Sequence, residues 1–475
     1  MTSRLGDIQI IKDLRVGDGF KHYYYKCINS ADTPMTEEEW KKMYSSMNDM
    51  DTIIKKFISY CPNLDIFVPE QSTKRGNKAR AEKQQKLVKK ALKKIKWKSG
   101  INEVYDTMES KGDCFFYLYF DNDDENIPRL KYLEPEKMHD IMLDANGEPI
   151  AYVYKDMVAK QEIDTLGNVV TLYKRTITYV FEKGKTTIID PIYDYNEKSK
   201  IWVHMQDDSK NPLYSYKEVM NRPSYQDDIA IVRFVSYKKF NEKFSRIPAS
   251  SYIDHCISLD IENSNVEIIN KMLGFPITFI TEGSITEGER KPSGFIYVDK
   301  KDPNQQNNPT ITIGQITNGL ESIFKQIRRR EDALYDSAGL VNKTAQEKLG
   351  NTDSARVIVT YEAPKKNKIE LYVDNIIEGM EFYIKVLLKE NNLYDEDIDY
   401  GVSLFKPKHL SQVSIFDEQL HDQNALNLGS KSKEEIALQN GDSFEDIKNR
   451  DIEDVDGQQT TLNAESIQDV RSNNN

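Results

Sequence analysis

The apolar positions of this chain change period twice. From Thr36 onward Trp40, Met43, Met47, Met50, Ile54 and Phe57 recur three or four residues apart. That spacing predicts an amphipathic helix, opened by Glu37, Glu38 and Glu39, where the helix dipole favours negative charge. Val88, Leu92 and Ile95 form a second stripe, inside a basic run from Lys74 to Lys98. From Asp113 the period falls towards two. Cys114–Phe120, Arg129–Leu133, His139–Leu143, Pro149–Tyr154, Val169–Phe181, Thr186–Ile189, Ile201–His204 and Ile229–Val235 read as strands rich in aromatic and β-branched residues. Turn signals at Asn126–Pro128, Asn146-Gly147, Leu166–Asn168 and Lys183–Lys185 separate them. Residues 113 to 245 are thus expected to be built from hairpins.

The helical period then returns. Pro248 leads into Ser250-Ser251, a plausible N-cap pair, followed by Tyr252, Cys256, Leu259, Glu262, Val266, Ile269 and Leu273. Gly274 and Pro276 stop the run. At about 1.5 Å per residue, 250–273 is expected to span roughly 36 Å. A small strand pair (Ile277–Thr281 with Gly294–Val298), a polar loop at Asp302–Asn308 and the run Ile311–Ile313 follow. A second long helix starts near Thr317, with Leu320, Ile323, Phe324, Ile327 and Leu334 on one face. Ser337–Asp353 reads as a loop, and Ser354–Leu388 as a helix that Pro364 is expected to break or kink. Short acidic helices come after Lys408, and 453–475 lacks a periodic stripe, as a disordered tail would. The expected fold class is α+β, in several parts.

A chain of 475 residues has room for two to four domain-sized units. Hydrophobic residues make up 38% and charged ones 30%, with no stretch near the roughly 18 apolar residues of a membrane span. The start, MTSRLGDIQI, shows no signal-peptide pattern. Cys27, Cys61, Cys114 and Cys256 are scattered, which offers neither a disulfide framework nor a zinc site. A net charge of −12 argues against a tight grip on nucleic acid by the chain as a whole. The basic run 74–98 departs from that balance, with twelve Lys or Arg against Glu82 alone. It could meet nucleic acid or an anionic membrane, but a solvated face or pairing with acidic residues is the favoured reading.

Other motifs weaken on inspection. Gly184-Lys185-Thr186 has Tyr179 where a phosphate-binding loop needs glycine, so a hairpin turn is expected. Asp121–Glu125 lacks the glycine and the final ligand of a calcium loop. No metal, cofactor or enzymatic activity is expected.

The order of elements nevertheless resembles the portal (head–tail connector) proteins of tailed bacteriophages, in their siphophage-like branch. Gly112–Asp121, Arg129–Glu136 and Gly147–Tyr154 look like that family's wing strands; Ser337–Gly339 through Ser354–Arg356 looks like its tunnel loop and the start of its kinked wing helix. Gln419–Ile452, with Gly429–Ile436 and Phe444–Arg450, looks like its crown ending, and the likeness covers about 110 to 452. The resemblance implies a wing at 1–248 and stem helices at 249–275 and 315–338. It implies a clip at 276–314, a tunnel loop at 339–353, a kinked wing helix and return at 354–408, and a crown at 409–452. It further implies a ring of about twelve subunits at one capsid vertex of the virion, assembled in the host cytoplasm. Double-stranded DNA would pass through it. Its partners would be a terminase motor, a head–tail adaptor, and the major capsid and scaffolding proteins, with no membrane. Lys343 and Lys348, with Asn342 and Thr344, would touch the DNA backbone. Asp254, Asp260, Glu262 and Glu267 would pair with Lys325, Arg328, Arg329 and Arg330 of a neighbouring subunit.

Overall fold

The computed structural model describes residues 4–22, 37–64, 78–121, 126–163, 169–196, 201–206, 210–237, 242–274, 277–281, 283–288, 296–300, 310–314, 320–340 and 355–394. The chain divides into two compact units, one of residues 1–61 with 67–402 and one of 62–66 with 403–475. The expected crown and tail lie outside the described residues. The first unit is mixed α and β, and every strand pairing among its described residues is antiparallel.

Among the described residues five helices come first: α1 (Arg4–Arg15), α2 (Glu37–Met43), α3 (Asp49–Ser59), α4 (Lys78–Lys94) and α5 (Trp97–Lys111). The stripe that predicted one helix from Thr36 to Phe57 is split between α2 and α3. Asn48 sits in the left-handed region (φ 54°), and the chain before it is tied to another element: Tyr44 Oη donates to Asp260 at 2.6 Å, and the Ser45 N–H to Ser264 Oγ at 3.0 Å. Tertiary bonds override the local period here. Met47 is consequently 63% exposed, while Met50, Ile53, Ile54 and Phe57 are buried. Arg15 of α1 binds Asp51 of α3 and Asp106 of α5, which fastens the three helices together.

A three-stranded sheet is ordered β10 (Ile231–Val235), β1 (Asp113–Tyr119), β2 (Arg129–Leu133). A five-stranded sheet is ordered β3 (Met138–Leu143), β4 (Pro149–Ile163), β5 (Val169–Glu182), β6 (Lys185–Pro191), β9 (Tyr214–Met220). Phe115, Leu133, Ile141, Tyr152, Phe181 and Ile231 form a shared core between the two sheets. Gly184, at φ 82°, turns β5 into β6, and Lys185 pairs with Glu218 at 2.7 Å, so the Gly-Lys-Thr run is a hairpin. A separate pair joins β7 (Tyr193–Asn196) to β8 (Ile201–His204). The alternation along the sequence predicts neither β7 nor β9.

The helix α6 (Ile253–Gly274) follows a 3-10 turn at Pro248–Tyr252. Ser250 and Ser251 belong to that turn and donate back to the Ile247 and Pro248 carbonyls, so they do not cap α6 as expected. The small β insert is two hairpin pairings. β11 (Ile277–Thr281) pairs with β14 (Thr310–Gly314), and β12 (Gly283–Gly288) with β13 (Ile296–Lys300). The expected partnership of 277–281 with 294–298 is thereby corrected: the strand nearest in sequence closes the inner hairpin and leaves β11 to β14. Then come α7 (Leu320–Ser337) and α8 (Ala355–Glu390), 36 residues long. The helix α8 runs through Pro364 without ending, so of the break or kink expected there the break does not occur. It lies against β10 so closely that a Cβ on Gly379 would sit 2.6 Å from the Phe234 ring. Asn375 Nδ2 donates to the Val235 carbonyl, and Tyr383 Oη to that of Pro128.

Candidate functional site

The features that the sequence marks for function converge on α6, the β insert and α7. The two helices run beside each other as an arm whose two ends differ. At the root, Tyr252, Ile253, Cys256, Ile257, Leu259, Asp260, Glu262 and Ser264 are buried, as are Leu334, Ala338 and Leu340. Further along, Glu267 on α6 and Glu321, Phe324, Lys325, Arg328 and Arg329 on α7 are exposed. The arm is therefore anchored where α6 begins and α7 ends, and its other end carries the two hairpins.

A buried polar hub holds the root. Glu109 of α5 is fully buried and accepts three bonds: from Tyr252 Oη at 2.5 Å, from Tyr372 Oη at 2.5 Å and from Lys368 Nζ at 2.8 Å. The Lys368 ammonium also reaches Tyr252 Oη at 2.9 Å and lies 4.2 Å over the Phe57 ring. Burial, and then the charge of Glu109, push both phenols well above their ordinary range, so they stay protonated donors. The hub ties α5, the entry to α6 and α8 to one carboxylate.

Two turns along α6, a second acid sits in a different setting. Asp260 accepts from Tyr44, Ser46 and the Met47 N–H, but the charge that acts on it is that of Asp49, another acid. Burial, with Asp49 adding to it, raises its carboxyl to about 6 against the pull of the Tyr44 hydrogen bond. Tyr44 is itself pushed upward by burial and by the bond to Asp260.

The residues assigned to pairing between subunits separate into two groups. Asp260 and Glu262 are engaged within the chain, the latter with Arg330 at 3.5 Å. Lys325 pairs with Glu321 one turn away at 2.9 Å. Asp254, Glu267, Arg328 and Arg329 are exposed. Asn342, Thr344, Lys343 and Lys348 lie outside the described residues. Sequence reasoning missed Glu109, Lys368 and Tyr372: a lone Glu and Lys more than 250 positions apart carry no spacing signal.

A cleft of about 200 Å³ lies between β10, the β3–β4 turn and α8, lined by Glu148, Tyr152, Arg233, Phe244, Asn375 and Phe382 among others. Its guanidinium is already committed, since Arg233 binds Asp113 Oδ1 at 2.8 Å and Asp113 also takes the Ser245 N–H and hydroxyl. Among the described residues no cluster of His, Cys, Asp or Glu could hold a metal, and no helix is long and apolar enough to cross a membrane. No family model matches the chain, and no curated protein matches it.

Proposed function

We propose that this chain is the portal subunit of a tailed bacteriophage. Copies assemble into a ring of about twelve subunits at one capsid vertex, and DNA is threaded in and later released through it. The observation that carries the reading is the arm: two helices anchored together at one end, with a small antiparallel insert at the other and an exposed charged row on α7. A helix pair rooted at one end leaves faces that side-by-side copies cover. In that arrangement Glu267 of one copy meets Arg328 and Arg329 of the next, while Asp260 and Glu262 stiffen each subunit from within. The loop around Lys343 and Lys348 touches passing DNA by charge alone, which carries no sequence information and suits a conduit. The partners are those of the resemblance: terminase motor, head–tail adaptor, capsid and scaffolding proteins.

Negative-stain top views of the purified protein test this. Rings with an open axial hole support it; a monomer of 55.1 kDa, or assemblies without a hole, would sink it. Deleting 343–349 is expected to spare ring assembly and impair packaging, and an unchanged packaging yield would remove that loop from the mechanism.

A further inference from the structure

Outside the arm, the helix α4 carries a ridge of exposed lysines. The helix α4 turns Ala81, Gln84, Val88 and Ala91 inward, and Gln84 Nε2 donates to the Leu393 carbonyl at 2.8 Å. At about 100° per residue, the opposite face gathers Lys83, Lys86, Lys89, Lys90 and Lys93 within an arc of about 120°, and all five are exposed. Lys96, just past the helix end, and Lys98, in α5, are exposed as well. Lys96 holds φ at 55°, in the left-handed region, where the chain leaves α4 for α5. Lys83, Lys86, Lys93 and Lys96 make no ion pair among the described residues. Such a ridge on a chain of net charge −12 is a local field of opposite sign to the molecule.

We propose that the α4 ridge binds the phosphate backbone of duplex DNA, at a surface separate from any channel and without regard to sequence. Three features select that occupant. A membrane-surface helix needs a free apolar face, and the apolar face of α4 is packed into the fold. Single-stranded nucleic acid is held on exposed aromatic platforms, and no aromatic residue stands between Lys83 and Lys96. Lysines on one face of a single helix, from Lys83 to Lys93 and about a turn apart, meet a line of phosphates as point charges.

The test uses the full chain and a fluorescein-labelled duplex of random sequence, with binding followed by anisotropy. Four phosphate contacts predict that affinity falls about 100-fold between 50 and 200 mM salt. The variant Lys83→Gln/Lys86→Gln/Lys93→Gln/Lys96→Gln should lose most binding at low salt and flatten that dependence. An all-arginine version should keep both. Thermal melting checks that each variant is folded. An unaltered salt slope in the glutamine variant overturns the proposal. So does wild-type protein that ignores duplex at low salt, or that prefers phosphatidylserine vesicles through the same lysines. Self-association lost in the variant without a change in DNA binding also overturns it, because the ridge would then serve a second copy. Ring formation, scored by negative stain on the same samples, reports on the portal reading separately.

Discussion

Glu109 and Asp260 are both buried acids at the root of α6, and they are treated in opposite ways. Glu109 faces an ammonium and two phenols, so each oxygen has a donor and the charge has a partner. Asp260 faces a phenol and another acid, and its carboxyl is lifted to about 6. Burial costs both of them solvation. The sign of the charge acting on each decides whether the result is a rigid joint or a group poised to take up a proton.

The largest effect should come from breaking the compensated site. Lys368→Ala leaves Glu109 buried without its cation and should lower stability by about 3–5 kcal/mol in urea unfolding; a loss below about 1 kcal/mol would show that the phenols alone suffice. Next is the pH response of the other site. The folded carboxyl of Asp260 titrates near 6 and an unfolded one near 3.8, so the folded state holds the proton more tightly. Its cost is fully present above about 6 and is relieved as pH falls towards 4. The difference in melting temperature between wild type and Asp260→Asn should therefore shrink as pH drops from 7 to 4, and a constant difference would contradict the assignment. A smaller change is expected from Tyr44→Phe, about 1 kcal/mol, with the Asp260 titration moving further up because a bond that favours its charged form is gone. Smallest is Arg329→Ser on the exposed row, within about 0.5 kcal/mol for the fold; on the portal reading, sizing chromatography should show fewer rings.

Much of the fold was legible in the residues. β2 and β8 fall where the alternation placed them, and the bounds of β1, β3, β5 and β6 move by one or two positions. The two long helices bracketing a β insert were visible from the return of the 3.6 period, since apolar stripes of this length have no competing local solution. The misses share a cause. The strand β9 is exposed along its whole length, so no buried face imposes alternation on Tyr214–Met220. The break at 44–48 is dictated by Asp260 and Ser264, more than 200 positions away. The Glu109 hub likewise joins three elements that no local window contains. Charge patterning did expose the lysine ridge. The stripe Val88, Leu92 and Ile95 located the inward face of α4 only in part: Val88 is buried, but Leu92 and Ile95 are half-buried and Ala81, Gln84 and Ala91 complete that face.

Pro364 has a consequence of its own for how α8 comes apart. Its ring supplies no N–H, so the Thr360 carbonyl loses its usual partner one turn back. On the C-terminal side Lys365, Lys368 and Tyr372 are held by rings and by Glu109. One rung of the ladder is thus missing just ahead of a stretch that its side chains hold in place. Amide protons at 355–363 should exchange as a block apart from those at 369–388, and tension drawn on the front of the helix would be taken up at the proline before it reaches the joint that holds the arm.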